Sequence, residues 1–424
     1  MNNNKLLMII NEFPPTGLSG VQRALKFMKY ACREGWEVHA VVPKKPVRKE
    51  TDHSLLQEIP PEAHIHRVGG LGIRSRNVSR ITCTRFEDTM PKNPVSKAFW
   101  TLAKLVNDII WPIDKQIGWT PFAAWKAAKI IKHHKIHNLY ITAYPFSSFV
   151  AGLWLKKRFG NKIFWVADYR DAWQFGPLIE RKVHGFRMKH IRKMDEKFLR
   201  NSDRVIFVTE KTCAHYVDKY AWLSEKSEVI TNGFDEDDFD GLPAKQFSEP
   251  TLVYMGRMDR NYGDPIPMLD AMAACNIPGF RFLHLGSIAP YILARIEGGN
   301  YPFYSYLGYL PHKDALEHTL GAWANLIMIE EDPESELVLQ GKLFELLRAG
   351  RPILSLGPER SAIKDLIYET NSGIHVLARD SEAISKALQQ ILNNPEQFST
   401  TAKNIEKFTR RELTRKLLSL YPKN

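Results

Sequence analysis

The chain has 424 residues, of which 44% are apolar and 25% charged, a balance that fits a soluble globular protein and excludes both a disordered polymer and a chain with an apolar excess. At roughly 100 to 200 residues per domain the length predicts two domains. Net charge is +12, from 59 Lys and Arg against 47 Asp and Glu, which favours anionic partners such as phosphates, anionic lipid or nucleic acid, or else a generally basic solvated surface.

The four cysteines, Cys32, Cys83, Cys213 and Cys275, lie far apart without Cys-x-x-Cys or Cys/His pairing at zinc spacing. That argues against a disulfide framework and a structural metal, and fits a reducing cytoplasm. Near the start only five consecutive residues are apolar, Leu6 to Ile10, too few for a signal-peptide core or a membrane span. A cytoplasmic chain is expected.

Leu6 to Ile10 reads as a buried strand. The loop "NEFPPTGLSG" follows, then a helix over Val21 to Glu34, stopped by Gly35, and a strand over Trp36 to Val42. The same order recurs in "NLYIT" (138–142), a helix from Ser148 to Phe159 ended by Gly160, and the strand "KIFWVA". "DRVIFVT" (203–209), a helix and "EVI" (228–230) complete the first half. Residues 71–120, rich in Arg, Trp and Pro, interrupt the pattern as an insertion, partly helical over 98–110. The run 181–200 holds eight Lys or Arg against two acids and reads as a surface helix with a cationic face, either solvated or facing anionic lipid.

At "TNGFDEDDFDGLPAKQFSEP" (231–250) the chain becomes acidic and turn-rich, as a linker does. Alternation then restarts, with "TLVYM", "RFLHL", "NLIMI", "PILSL" and "GIHVL" as strands and helices near 264–275, 311–322, 338–349, 360–368 and 381–393. The predicted fold class is therefore α/β, with two Rossmann-like doubly wound domains facing a cleft. Ligands of such sheets collect at the carboxyl ends of the strands. The domains span 1–235 and 250–405, and 406–424 forms a last segment.

Four loops at predicted strand ends carry candidate chemistry. In the first, Gly17 and Gly20 let backbone N–H groups approach a ligand at a helix start. The second, "ADYRDAW" (167–173), packs Asp168, Arg170, Asp171 and Trp173 together; a carboxylate there could accept a hydroxyl proton, or the Asp/Arg pair could simply cap the next helix. In the third, "GRMDRNYG" (256–263), Gly256 permits close approach and Arg257 suits a diphosphate. The fourth is "LQGKLFELLRAGRPIL" (339–354), where Lys342 and Glu345 share one helix face, either as an intrahelical ion pair or as a phosphate and ribose contact.

Taken in order, "FPPTGLSGVQR", "DYRDAW", "ITNGFDEDDF", "YMGRM" and "GKLFELLRAGRPIL" resemble the GT-B glycosyltransferases, and most of all the large retaining group called family 4. The resemblance covers nearly the whole chain apart from 71–120, and "FTRRELTRKLLSLY" (408–421) is similar to the last helix of that fold, which crosses back onto the N-terminal domain. It implies transfer of a sugar from a nucleotide-sugar donor to a hydroxyl, with retention at the anomeric carbon, no metal and no cofactor. By the family pattern Gly20 supplies a backbone N–H, and Gly256, Arg257, Arg260, Lys342, Leu343 and Glu345 bind the donor. Asp168 or Asp171 is the catalytic expectation, and Ser19, Tyr144, Arg170 and Trp173 line the acceptor side.

The chain departs from the family in three places. Tyr262 stands where many members carry a lysine after the Gly-Arg pair, Leu337 where many carry a second glutamate, and Tyr144 near the place of an N-terminal histidine. The expected partners are a nucleotide-sugar, a glycan or lipid-linked acceptor in surface polysaccharide synthesis and, through 181–200, the inner face of the membrane; nucleic acid is not expected. A nucleotide-sugar epimerase of the same fold and a non-catalytic glycan-binding protein are the alternatives.

Overall fold

The computed structural model describes residues 4–17, 19–46, 51–70, 113–175, 185–259, 264–330, 333–398, 400 and 402–422. They form two compact units, Met1–Thr231 with Leu413–Asn424, and Asn232–Glu412. Among the described residues, no helix is long and apolar enough to cross a membrane.

The first unit is built on seven strands, β1 (Lys5–Ile9), β2 (Glu37–Pro43), β3 (His64–Val68), β4 (Asn138–Ala143), β5 (Phe164–Tyr169), β6 (Arg204–Phe207) and β7 (Ser227–Val229). All neighbours pair in parallel, in the order β3-β2-β1-β4-β5-β6-β7. Helices α1 (Ser19–Arg33), α2 (Thr120–His134), α3 (Ser148–Phe159), α4 (Phe186–Asn201) and α5 (Glu210–Lys219) lie between them in sequence. Parallel strands need both faces covered, and β1 shows how: Leu6 and Met8 enter one core while Leu7 and Ile9 enter another. Strand order reverses between β1 and β4, the place where ligands of doubly wound sheets bind.

The second unit repeats the scheme with β8 (Thr251–Met255), β9 (Arg281–Leu285), β10 (Tyr304–Gly308), β11 (Ala324–Met328), β12 (Ile353–Leu356) and β13 (Gly373–Val376). Their order is β10-β9-β8-β11-β12-β13, again parallel, with the reversal between β8 and β11. Helices α6 (Ile266–Ala274), α7 (Pro290–Glu297), α8 (His312–Gly321), α9 (Lys342–Ala349), α10 (Ala362–Glu369), α11 (Ser381–Asn393) and the short α12 (Ala402–Ile405) alternate with or follow them. α13 (Arg410–Ser419) closes the chain, and from Leu413 onward the residues belong to the first unit. There Leu413, Leu417, Leu418 and Tyr421 join Leu6 and Met8 in one core.

Four elements escape the sequence pattern. β3 ("HIHRV") and β10 ("YSYLG") are edge strands, only partly buried, so they carry polar residues where an inner strand would be aliphatic. In α2 Phe122 and Trp125 are exposed while Ala123, Ala127 and Ile131 are buried, which blurs the helical period. α7 is not among the expected helices; Pro290 opens it, and proline at a first helical turn is favourable. Residues 71–112 of the expected insertion lie outside the described residues.

Candidate functional site

In the second unit, β8 delivers Gly256 and Arg257 to the carboxyl end of the sheet, beside the strand-order reversal. Gly256 donates its N–H to the Leu285 carbonyl at 2.7 Å. Its own carbonyl is 3.0 Å from His284 Nε2, while His284 Nδ1 is 2.9 Å from the Tyr304 hydroxyl. Burial pushes His284 down to about 4, so the ring is neutral; the carbonyl can only accept, which places the proton on Nε2 and lets Nδ1 accept from Tyr304.

Lys342 opens α9, and its Nζ lies 4.3 Å from the centre of the Tyr254 ring. A side chain at position 256 would start 2.4 Å from that nitrogen, so glycine there is what makes room for the ammonium. Burial pushes Lys342 down to about 7, with Glu345 acting in the opposite direction. Among the described residues no carboxylate or carbonyl takes a hydrogen bond from this ammonium.

One turn along α9, Glu345 Oε1 accepts from His312 Nε2 at 3.0 Å and keeps 22% of its side chain exposed. Lys342 and Glu345 therefore occupy one face without a direct ion pair, each with its own neighbour. Leu343 turns the other way into the core with Leu346 and Leu347. Arg257 is half exposed and pairs through Nε with Asp259 Oδ2 at 2.5 Å. Arg260 lies outside the described residues.

In the first unit the carboxyl ends of β1, β4 and β5 gather a second charged group. Arg170 Nη2 donates to Glu12 Oε2 at 2.9 Å and Nη1 to the Gly20 carbonyl at 2.7 Å; the Tyr144 carbonyl lies 3.5 Å from Nη2. Gly20 belongs to the first turn of α1, where amide N–H groups have no intrahelical acceptor. Ser19 begins the same helix. The open flank of Gly20 is filled by the Arg170 guanidinium, a reason for glycine that local sequence does not contain.

Asp168, on β5, is fully buried. Arg23 grips it with Nε 2.9 Å from Oδ2 and Nη2 2.9 Å from Oδ1, while Tyr140 and Thr142 donate to Oδ2 at 2.5 and 3.0 Å. Arg23 in turn donates to the carbonyls of Ile230 and Thr231. Neither oxygen of Asp168 faces solvent, so this carboxylate is arranged to hold the α1 arginine between three strand ends. Asp171, the other expected catalytic carboxylate, is 66% exposed and stands 3.7 Å from Arg170 Nε.

Trp173, expected on the acceptor side, is buried and stacked on Phe146 at 4.6 Å. Tyr144 is partly exposed. Arg23, Tyr140 and His284 were not singled out by sequence; each sits inside an ordinary helix or strand pattern and becomes notable only through partners far along the chain.

Two doubly wound parallel units, each with charged groups at its strand-order reversal, define a chain of the GT-B class. Over residues 20–238, more than half of its length, the sequence matches the family described as Glycosyltransferase Family 4, and the protein belongs to that family of glycosyltransferases. No curated protein sequence matches it.

Among solved structures, sucrose-phosphate synthase from Thermosynechococcus elongatus is similar with a TM-score of 0.65 at 16% identity, covering 98% of both chains. Anabaena HepE in complex with UDP-glucose is similar with a TM-score of 0.61 at 12% identity, covering 98% of both. WaaG, a glycosyltransferase involved in lipopolysaccharide biosynthesis, has a TM-score of 0.58 at 12% identity, covering 99% of this chain and 100% of its own.

Proposed function

We propose that this glycosyltransferase moves a sugar from a nucleotide-sugar donor to a hydroxyl of a glycan or lipid-linked acceptor, with retention and without a metal, in the synthesis of a surface polysaccharide. One observation carries the donor assignment: the half-buried Lys342 ammonium, held beside Gly256 and lacking a hydrogen-bonded acceptor among the described residues, is arranged to receive an anion. A diphosphate at that strand end would meet Lys342, and Arg257 could turn from Asp259 toward it. Glu345, on the same face of α9, is suited to accept from ribose hydroxyls. The complex of HepE with UDP-glucose supports a donor of this chemical class.

In the reaction the acceptor oxygen bonds to the anomeric carbon while the bond from that carbon to the terminal phosphate oxygen breaks, its electron pair leaving with the nucleoside diphosphate. The acceptor's proton passes to the departing phosphate. Positive groups preorganised where that negative charge develops supply the main stabilisation. On the acceptor side, the exposed Asp171 is the carboxylate able to meet a hydroxyl, with Arg170 anchored by Glu12 behind it.

The membrane side of the proposal rests on α4. Met188, Ile191, Phe198 and Leu199 fill the core from one face, while Lys189, Arg192, Lys193 and Lys197 are exposed on the others and Phe186 is 81% exposed. A cationic face beside an exposed aromatic ring suits an anionic lipid surface.

The deciding experiment is a thermal-shift panel of UDP, GDP, ADP, CMP and dTDP on wild type and Lys342→Ala. A nucleotide at a hundred times its dissociation constant adds about 2.7 kcal/mol. One nucleoside diphosphate should raise the wild-type melting temperature and fail to raise that of the variant; no shift from any of the five overturns the reading.

A further inference from the structure

At the other edge of the first sheet the chain gathers histidines that the sugar-transfer reading leaves unused. Glu37 and His39 are two apart on β2 and so share a face. The register pairs His39 with His64 and Val41 with His66, which brings both β3 histidines alongside. From α2, His134 sets its ring centre 4.2 Å from that of the buried His39 at a tilt of 50°, and His133 stands 4.7 Å beyond His134. Five of the chain's 14 histidines therefore gather here, and two of them, His39 and His134, reach the Glu37 carboxylate.

We infer that Glu37, His39 and His134 form a binding site for a divalent transition metal, with zinc the best match to the donor set. Their ligand atoms all lie within 4.8 Å of one another. Glu37 Oε1 is 2.9 Å from His39 Nε2 and 3.7 Å from His134 Nδ1. In a tetrahedral zinc site, with bonds of about 2.0 to 2.1 Å, neighbouring ligand atoms are about 3.3 to 3.4 Å apart. The two separations from Glu37 bracket that value, and the His39 and His134 nitrogens lie within 4.8 Å of each other, so shifts of about half an ångström to about 1.5 Å close the site.

The surrounding contacts are those a metal site needs. His39 Nδ1 faces His66 Nε2 at 3.0 Å, so with Nε2 on the metal the proton moves to Nδ1 and is donated to His66. Glu37 keeps its second oxygen, Oε2, on the Lys5 ammonium at 2.8 Å, which orients the carboxylate without using Oε1.

On the His134 side the cluster borders a pocket. An open pocket of about 500 Å³ reaches His134 and His66, rimmed by Lys126, Lys129 and Lys132. Those ammonium groups oppose a bare cation but favour an anionic fourth ligand such as hydroxide or phosphate, and imidazole with carboxylate suits zinc more than magnesium. The bound ion would tie β2, next to the edge strand β3, to α2.

The test is isothermal titration of the untagged, chelator-treated full chain with Zn2+, in a chloride buffer, alongside Glu37→Gln, His134→Ala and His133→Ala, with circular dichroism to establish folding. Wild type should take up one equivalent. Glu37→Gln and His134→Ala should each weaken binding by about tenfold or more, while His133→Ala leaves it unchanged. Absence of binding by wild type, or unchanged affinity in both Glu37→Gln and His134→Ala, overturns the site. Loss in His133→Ala equal to that in His134→Ala would place the ion on a surface pair and overturn it equally.

Discussion

The guanidinium of Arg170 lies against the α-carbon of Gly20, so close that an added Cβ would fall 2.1 Å from Nη1. The same guanidinium reaches Glu12 and the Gly20 carbonyl, so an arginine distant in sequence shares one packing problem with a glutamate and a glycine of the first loop. Gly20→Ala should push Arg170 off Glu12 and destabilise the first unit by about 2 kcal/mol. In an Arg170→Ala background the same change should cost far less. A double-mutant cycle by urea denaturation should give a coupling of about 1 to 3 kcal/mol, and additive costs would show that the arginine yields freely.

Asp168 answers to Arg23 in the same unit. Removing the carboxylate leaves a guanidinium buried without its counter-charge, so Asp168→Ala should destabilise by about 3 to 5 kcal/mol or abolish soluble expression. Equilibrium unfolding reads this directly. A variant as stable as wild type but inactive in sugar transfer would instead return Asp168 to a chemical role.

Lys342 should affect stability and nucleotide binding in opposite directions. Its ammonium, held down to about 7 in the folded chain against an ordinary 10.5, makes the unfolded state bind more protons between those values, so this group's contribution to stability rises with pH across that window. Lys342→Met removes the penalty. It should gain about 1 kcal/mol at neutral pH and below, discounted from the full shift because the side chain is only partly buried, and lose that advantage toward pH 10.5. The same variant should no longer be stabilised by nucleoside diphosphate. Denaturation profiles at several pH values, with and without nucleotide, separate the two effects.

Asp195 supplies a second pH signature. It is buried, accepts from Tyr169 and Tyr216 at 2.8 and 2.9 Å, and burial raises it to about 6 from 3.8. The folded chain therefore binds more protons than the unfolded one between those values, and stability contributed by this group falls as pH rises through them. Asp195→Asn lacks that loss. Its stability relative to wild type should climb by up to about 3 kcal/mol from pH 4 to pH 7, and a constant difference would mean the carboxyl titrates normally.

The cationic face of α4 should bind anionic membranes. Replacing Lys189, Arg192, Lys193 and Lys197 with Gln should reduce sedimentation with vesicles containing phosphatidylglycerol, at about 1 kcal/mol per charge removed near the surface. Sedimentation equal to wild type would leave the face merely solvated.

Much of the architecture was legible because burial leaves a local trace. Inner strands such as β4 and β8 are apolar on both faces, and the glycines that end α1, α3 and α9 mark their stops in the chain itself. Lys342 and Glu345 were likewise readable as one helix face from their spacing. The edge strands β3 and β10 were not, since solvent on one side removes the apolar run that would announce them. The metal reading shows the same limit: Glu37, His39 and His134 come from a strand and a distant helix, and no spacing in the sequence resembles a zinc motif.

By itself the sequence determined the α/β alternation, its restart in a second half, and the residue types offered at the strand ends, because each depends on neighbours within a turn or two. Only the tertiary structure decided which partners those residues meet. Asp168 and Arg23 stand 145 positions apart, and only the folded chain shows that this carboxylate is the buried partner of an arginine. Gly20, which resembled an open phosphate loop, proved to be shaped by the arginine 150 positions away. Periodicity cannot encode such relationships, since they arise only when separate strands bring their carboxyl ends together and shut water out.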